Sequence, residues 1–269
     1  DAAQRLINDC RKNGLLPLDI CADDDGRAVE NLERIDYDDP YAEASRAIAQ
    51  LDSWHWDYVP FSFWETVPVY VEMAVEKVDL KSLFSPICRD YHIPIFNASG
   101  WADINSRADL MKRFKYWEAK GKKCVLLYCG DHDPGGLNIS TCLHSNLADL
   151  SGAVGWSSDN LIIDRFGLDY EFIVAERLSW IENLETGSGV RLDDPRHRDH
   201  HKIYVQTYLK QFGARKVEAN SLVTRPKEGR RLCLSAIQKY VSDAQLAAYE
   251  AAIAEARNEL RDEIQRRLK

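Results

Sequence analysis

Apolar positions first recur at helical spacing in DAAQRLINDCRKNG, which predicts a short amphipathic helix ending near Gly14, with the extended link LLPLDI after it. The acidic stretch ADDDGRAVENLERIDYDDP then leads into a second predicted helix near residues 41–52. From residue 68 the pattern changes. VPVYVEMAV is β-branched and alternating, as a strand should be, and a helix over about 79–91 follows it. The short strand IPIFN, the turn NASG and an amphipathic helix over 102–120 come next. KCVLLYC is an unbroken apolar run, the pattern of a strand covered on both faces in a parallel sheet. It meets the turn GDHDPGG and a helix over about 137–149, then the strand NLIIDRF and the helix DYEFIVAERLSWIENL. This repeated strand–helix order predicts an α/β fold, a mainly parallel sheet flanked by helices.

Downstream, TGSGVRLDDPRHRDHH reads as a polar loop and HKIYVQTYLKQFG as a helix stopped by Gly213. RKVEANSLV reads as a short strand. The Ala-rich, charge-interleaved segment from about Ser242 to Lys269 suits a long surface helix or a dimer-forming arm. Three regions are therefore expected: a helical and irregular N-terminal segment (1–67), a core (68–180) and a C-terminal α/β extension (181–269) with its terminal helix. The rings of Trp54, Trp56, Tyr58, Phe61, Phe63 and Trp64 are expected to pack between subdomains, with a base-stacking platform as the sharper alternative.

The composition narrows the class. Of 269 residues, 45% are hydrophobic and 29% charged, the balance of a globular chain that buries a core. With 43 acidic against 35 basic residues the net charge is −8, which argues against a general nucleic-acid coat and requires any DNA contact to be local or metal-assisted. No apolar run approaches the roughly 18–20 residues of a membrane span, so no membrane partner is expected. The seven cysteines contain no CxxC pair and several lie in apolar segments, which points to buried thiols in a reducing cytoplasm. The chain opens on Asp1 inside a helical pattern, so part of the native protein is expected upstream.

The chemistry concentrates at Asp131-His132-Asp133-Pro134-Gly135-Gly136. Two carboxylates one residue apart, at the carboxyl end of a buried strand, provide the hard oxygens that Mg²⁺ takes. Such a turn equally serves to cap a helix. Glu76, at the end of VPVYVEMAV, would reach the same sheet edge, and three converging carboxylates make sense mainly around a cation.

VEKVDL, followed some 55 residues later by YCGDHDPGG, resembles the Toprim domain. The version most alike is that of the topoisomerase VI A subunit and the related meiotic double-strand-break protein. The likeness covers about 68–180 and extends more weakly to DCRKNGLLPLDI and YLKQFGARKVEANSL, segments similar to bacterial and phage relatives. It implies Mg²⁺, with Mn²⁺ as a substitute, on Asp131 and Asp133. Glu76 would join the metal site or act as general acid/base on the phosphodiester. It also implies cleavage of double-stranded DNA by a homodimer with one site for each strand, and leaves room for an ATPase partner subunit. The family's tyrosine nucleophile sits on a preceding winged helix. Only 75 residues precede Glu76, and Tyr37, Tyr41 and Tyr58 occur in the wrong setting. Either that domain lies upstream, giving a topoisomerase-type covalent break, or the chain is an endonuclease using metal-activated water.

Lys77 is a further catalytic candidate, neutralising phosphate charge, against the alternative of a solvated lysine. Lys112, Arg113, Lys115, Lys122 and Lys123 could track phosphates, or could form a solvated helix face. His197 and His201 are spaced to share a helix face as metal ligands, but HRDHH lies in a polar loop whose arginines could instead meet DNA. His132 is expected to point away from the cation or toward a phosphate. Two rivals remain: an aspartyl-phosphate phosphatase or phosphotransferase acting through Asp131, and a non-catalytic DNA-binding assembly protein.

Overall fold

The computed structural model describes residues 2–17, 39–98, 103–185 and 189–268. Most of the acidic stretch, the end of the LLPLDI link, Cys21, Tyr37 and Gly100 lie outside them. The chain divides into two compact units, Asp1–Trp54 and His55–Lys269. The first contains α1 (Ala2–Lys12) and α2 (Pro40–Ser53). Gly14, at φ +70°, follows the end of α1. Asp39 caps α2, its carboxylate accepting from Tyr41 N and Ala42 N, with Pro40 at the first helical position.

The second unit runs α3 (Phe63–Thr66), β1 (Val69–Val75), α4 (Val78–Asp90), β2 (Ile95–Asn97), α5 (Ile104–Ala119) and β3 (Lys123–Gly130). It continues with α6 (Pro134–Leu137), α7 (Ile139–Ala148), α8 (Ser151–Val154), β4 (Ile162–Gly167) and α9 (Tyr170–Ala175). The last helices are α10 (Ile203–Phe212), α11 (Pro226–Gln238) and α12 (Asp243–Leu268). The four strands form one parallel sheet in the order β2-β1-β3-β4. The α/β expectation therefore holds: helices flank an all-parallel sheet. Every residue of β1 and all but Lys123 of β3 are buried, as central parallel strands covered on both faces must be. Helices α4 and α11 pack together on the sheet, while α5 lies on β3 and α7 on β4. Leu110, Met111, Phe114 and Trp117 form the inward stripe of α5.

From β1 the chain moves outward to β2, then returns past β1 to β3. The strand order reverses at that pair, opening a crevice beyond the carboxyl ends of β1 and β3. Glu76 and Asp131 are the first residues past those ends.

Several expectations change. The boundary between the two units falls inside the aromatic run, just after Trp54, and Phe63 and Trp64 belong to the larger core: Phe63 packs on Tyr249 of α12 and Trp64 on Tyr70 of β1. Trp56 and Tyr58 stay exposed, so the run is not one packing layer. Residues 181–269 fall in the same compact unit as the sheet. RKVEANSLV is no strand but two isolated antiparallel bridges, His132 to Val217 and Ile181 to Lys216, followed by a 3-10 turn. The helix expected over DYEFIVAERLSWIENL stops after Ala175. Arg177 turns left-handed (φ 50°) and Leu178 N donates to Ile173 O, a capping arrangement sealed by buried Leu178. Helix α11 was not foreseen.

The six described cysteines are free, and Cys88, Cys124, Cys129 and Cys233 are buried. Among the described residues no helix is long and apolar enough to cross a membrane.

Candidate functional site

The reversal point brings Glu76, Lys77 and Asp131 together. Glu76 N still donates to Cys129 O at 2.9 Å, so the two strand ends are hydrogen-bonded up to Glu76 itself. Glu76 Oε2 accepts from Asp131 N at 2.8 Å and from the Tyr128 hydroxyl at 3.4 Å. Lys77 Nζ lies 3.1 Å from Asp131 Oδ2 and 3.7 Å from Glu76 Oε1. One ammonium thus touches a carboxylate from each strand, and those two oxygens are no farther apart than the sum of the two distances. Asp131 Oδ1 accepts from Ala219 N at 2.7 Å.

Asp133 is the N-cap of α6, its Oδ1 accepting from Gly136 N at 2.6 Å. The two carboxylates of the DxD turn are thus placed differently: Asp131 faces Lys77, and Asp133 caps a helix. Burial raises the pKa of Glu76, the Asp131 amide opposes that shift, and the Asp131 charge adds to it. Asp133 is raised for the same reasons, burial first, with the Gly136 amide opposing and the Asp131 charge adding. Burial disfavours the Lys77 charge, yet Asp131 and Glu76 outweigh it and raise that pKa.

The sequence did not mark the residues that hold the turn in place. Arg165, within β4, donates to the carbonyls of Asp131 (3.2 Å), Gly136 (3.1 Å) and Leu168 (3.3 Å). Segment 216–219 closes the other side. His132 and Val217 exchange backbone hydrogen bonds, and Val217 is buried while Lys216 and Glu218 pair at 2.8 Å. Lys216 acts on Asp133, and Glu218 lies in the field of Lys77. The only available signals were a charge at a strand end, the tyrosine of YCG, and KVEANSL as a weakly familiar segment.

Two glycines are required by close approach. A Cβ on Gly130 would lie 2.6 Å from Glu76 Oε2. One on Gly136 would overlap the Asp131 carbonyl oxygen, which is backbone and cannot rotate aside. Gly136→Ala should therefore cost about 1–3 kcal/mol of stability and displace Asp133, whereas Gly135→Ala meets only an ordinary contact at 3.5 Å and should be neutral. Paired thermal melts of the two variants check this; equal melting temperatures would remove the steric argument.

His132 points away from the acids. Its Nδ1–H donates to Leu168 O at 2.7 Å and its ring sits among Trp180, Tyr208 and Phe212. Burial lowers its pKa, so the ring is neutral there.

The proposed phosphate-tracking patch does not form at this edge. Lys122 and Lys123 flank the opposite, amino end of β3. Lys122 donates to Glu65 O and Val67 O, Lys115 to Val154 O, and Lys112 pairs with Asp109. Arg113 is committed to buried Glu72. HRDHH forms turns rather than a helix face, because His197 Nδ1 accepts from Asp199 N and His200 bonds Leu192 O.

A cleft of about 400 Å³ opens beside the acids, lined by Glu76, Lys77, Ala98, Tyr128, Ile139, Leu143 and Asn146. Its walls combine a charged end with apolar sides. Among the described residues no group of three or more His, Cys, Asp or Glu side chains is drawn together tightly enough to hold a metal; the acids stand around Lys77 instead. The donor set nevertheless suits a hard divalent cation, since every candidate ligand is a carboxylate oxygen. The bare α-carbon of Gly130 beside Glu76 keeps that side of the cradle open.

No family model, curated protein or solved structure matched the chain.

Proposed function

We propose that the chain is a Toprim-like, Mg²⁺-dependent enzyme that breaks DNA strands, with Mn²⁺ able to replace Mg²⁺. The observation that carries this reading is the meeting of Glu76 and Asp131 at the strand-order reversal, both touched by the Lys77 ammonium, with Asp133 capping the next helix.

Glu76, Asp131 and Asp133 would hold the metal, which when bound supplies positive charge to a phosphoryl oxygen and to the leaving 3′ oxygen. The chain's own groups set the ligand positions. Ala219 N fixes Asp131, Gly136 N fixes Asp133, and the Asp131 amide with Tyr128 fixes Glu76. Glu76 keeps its proton to higher pH than a solvated glutamate, which suits a group that also moves a proton on the phosphodiester. Lys77 and Lys216 provide local positive charge in an acidic protein, at the point where a backbone phosphate would arrive. A homodimer with one site for each strand, and an ATPase partner, belong to the same reading.

Aspartyl-phosphate chemistry through Asp131 has less support. That side chain is buried, with one oxygen held by Ala219 N and the other by Lys77.

Supercoiled plasmid should be nicked or linearised in Mg²⁺ or Mn²⁺ and remain intact in EDTA. Duplex binding should weaken steeply as salt rises. Cleavage that persists in EDTA would overturn the metal role, and metal binding with no cleavage would turn the reading toward an assembly protein.

A further inference from the structure

We propose that the cleft beside the acids receives one unpaired nucleobase, so that the substrate is DNA with an unpaired nucleotide at the break rather than a fully paired duplex. The inference deepens the DNA-breaking reading and rests on it. At about 400 Å³ the cleft has the size of a small-molecule site. Its apolar walls come from Ala98, the residue after β2, and from Ile139 and Leu143 on α7. Asn146 stands three residues beyond Leu143, on the same face of that helix.

The charges decide what can enter. Glu76 and Lys77 are the acid and the base of the lining, and at 3.7 Å their charges offset each other. A phosphate, which needs uncompensated positive charge, gains little inside the cleft. A neutral ring gains the apolar walls and needs a partner only for its polar edge. Asn146 is that partner. Its carboxamide makes no hydrogen bond to the described residues, and it offers donors and an acceptor, as the edge of a base does. Its backbone is held in place, because Arg107 Nη1 donates to Asn146 O at 3.1 Å. Arg107 has no ion-pair partner among the described residues, so positive charge adjoins the cleft where the neighbouring phosphate of the same strand would lie. A paired base is kept in its stack, whereas an unpaired one leaves it at small cost.

Fluorescence anisotropy with the full chain, in EDTA and again in Ca²⁺, tests this with three duplexes of equal length. One is fully paired, one carries a single bulged nucleotide, and one carries a bulged abasic residue, which loosens the duplex but offers no ring. The bulged nucleotide should bind about tenfold tighter than the abasic bulge, and tighter than the paired duplex. Ala98→Leu, which fills the cleft, and Asn146→Leu, which removes its donors and acceptor, should each bring the ratio of the two bulges near one. If Ala98→Leu fails to fold, Asn146→Leu carries the comparison. Equal binding of the two bulges by the parent overturns this inference alone, as does a preference that the folded cleft variants retain. No duplex bound in either buffer overturns the DNA reading, and this inference with it.

Discussion

Arg113→Met should lower the unfolding free energy by about 3 kcal/mol, the low end for breaking a buried pair because the guanidinium is itself half exposed. Its partner Glu72 is wholly buried in β1. The carboxylate accepts two bonds from Arg113, at 2.7 and 2.8 Å, and one from the Tyr70 hydroxyl at 2.7 Å. Glu72 in turn, through that hydrogen bond first, raises the Arg113 pKa. Without the guanidinium, a charge in the centre of the sheet keeps only the tyrosine. Replacing both residues, as Glu72→Met with Arg113→Met, removes the orphaned charge and should recover most of the loss. Urea unfolding of the two single variants and the double variant decides it. A double variant no better than Arg113→Met would mean that packing, rather than the buried charge, dominates.

Asp131→Asn and Glu76→Gln should each lower metal-dependent cleavage by about 10³-fold or more, since each removes a ligand charge and Glu76 also a proton carrier. Both substitutions keep shape. Asparagine at 131 can still accept from Ala219 N, and glutamine at 76 from the Asp131 amide, so the fold should persist by circular dichroism while Mn²⁺ affinity falls. Cleavage within tenfold of the parent in both variants would end the assignment.

The raised pKa values add a sign. Glu76 and Asp133 bind protons more readily folded than unfolded, so in the absence of metal their own contribution to stability is greatest below the ordinary carboxylate range. It then falls as pH rises through the raised folded values. On the proposed function, cleavage should run the other way and increase as those groups ionise. Glu76→Gln should remove its share of the metal-free stability slope.

Much of the architecture was legible because strands and helices declare themselves over a few residues. The apolar runs of β1 and β3, the DxD turn and the Gly213 stop are local patterns, and the parallel pairing of the strands follows from alternating strands and helices. Helix α11 was left unread, although Pro226 opens it at a position where proline is favoured; Gly229 is where that helix approaches Leu83 closely. Glu72 sits in a strand whose alternation gives no sign that its charge is buried, because its partner Arg113 lies on a helix 41 residues away.

From the sequence alone came the α/β class, the parallel strands and the three carboxylates at strand ends. Only the tertiary structure decided that Lys77 bridges two of them, that Arg165 braces the turn, and that Ala219 reaches Asp131 across 88 residues. The division has a physical cause. Periodicity along a chain reports which face of an element is buried, whereas contacts between chain ends and distant loops depend on how the strands are ordered and where the chain returns.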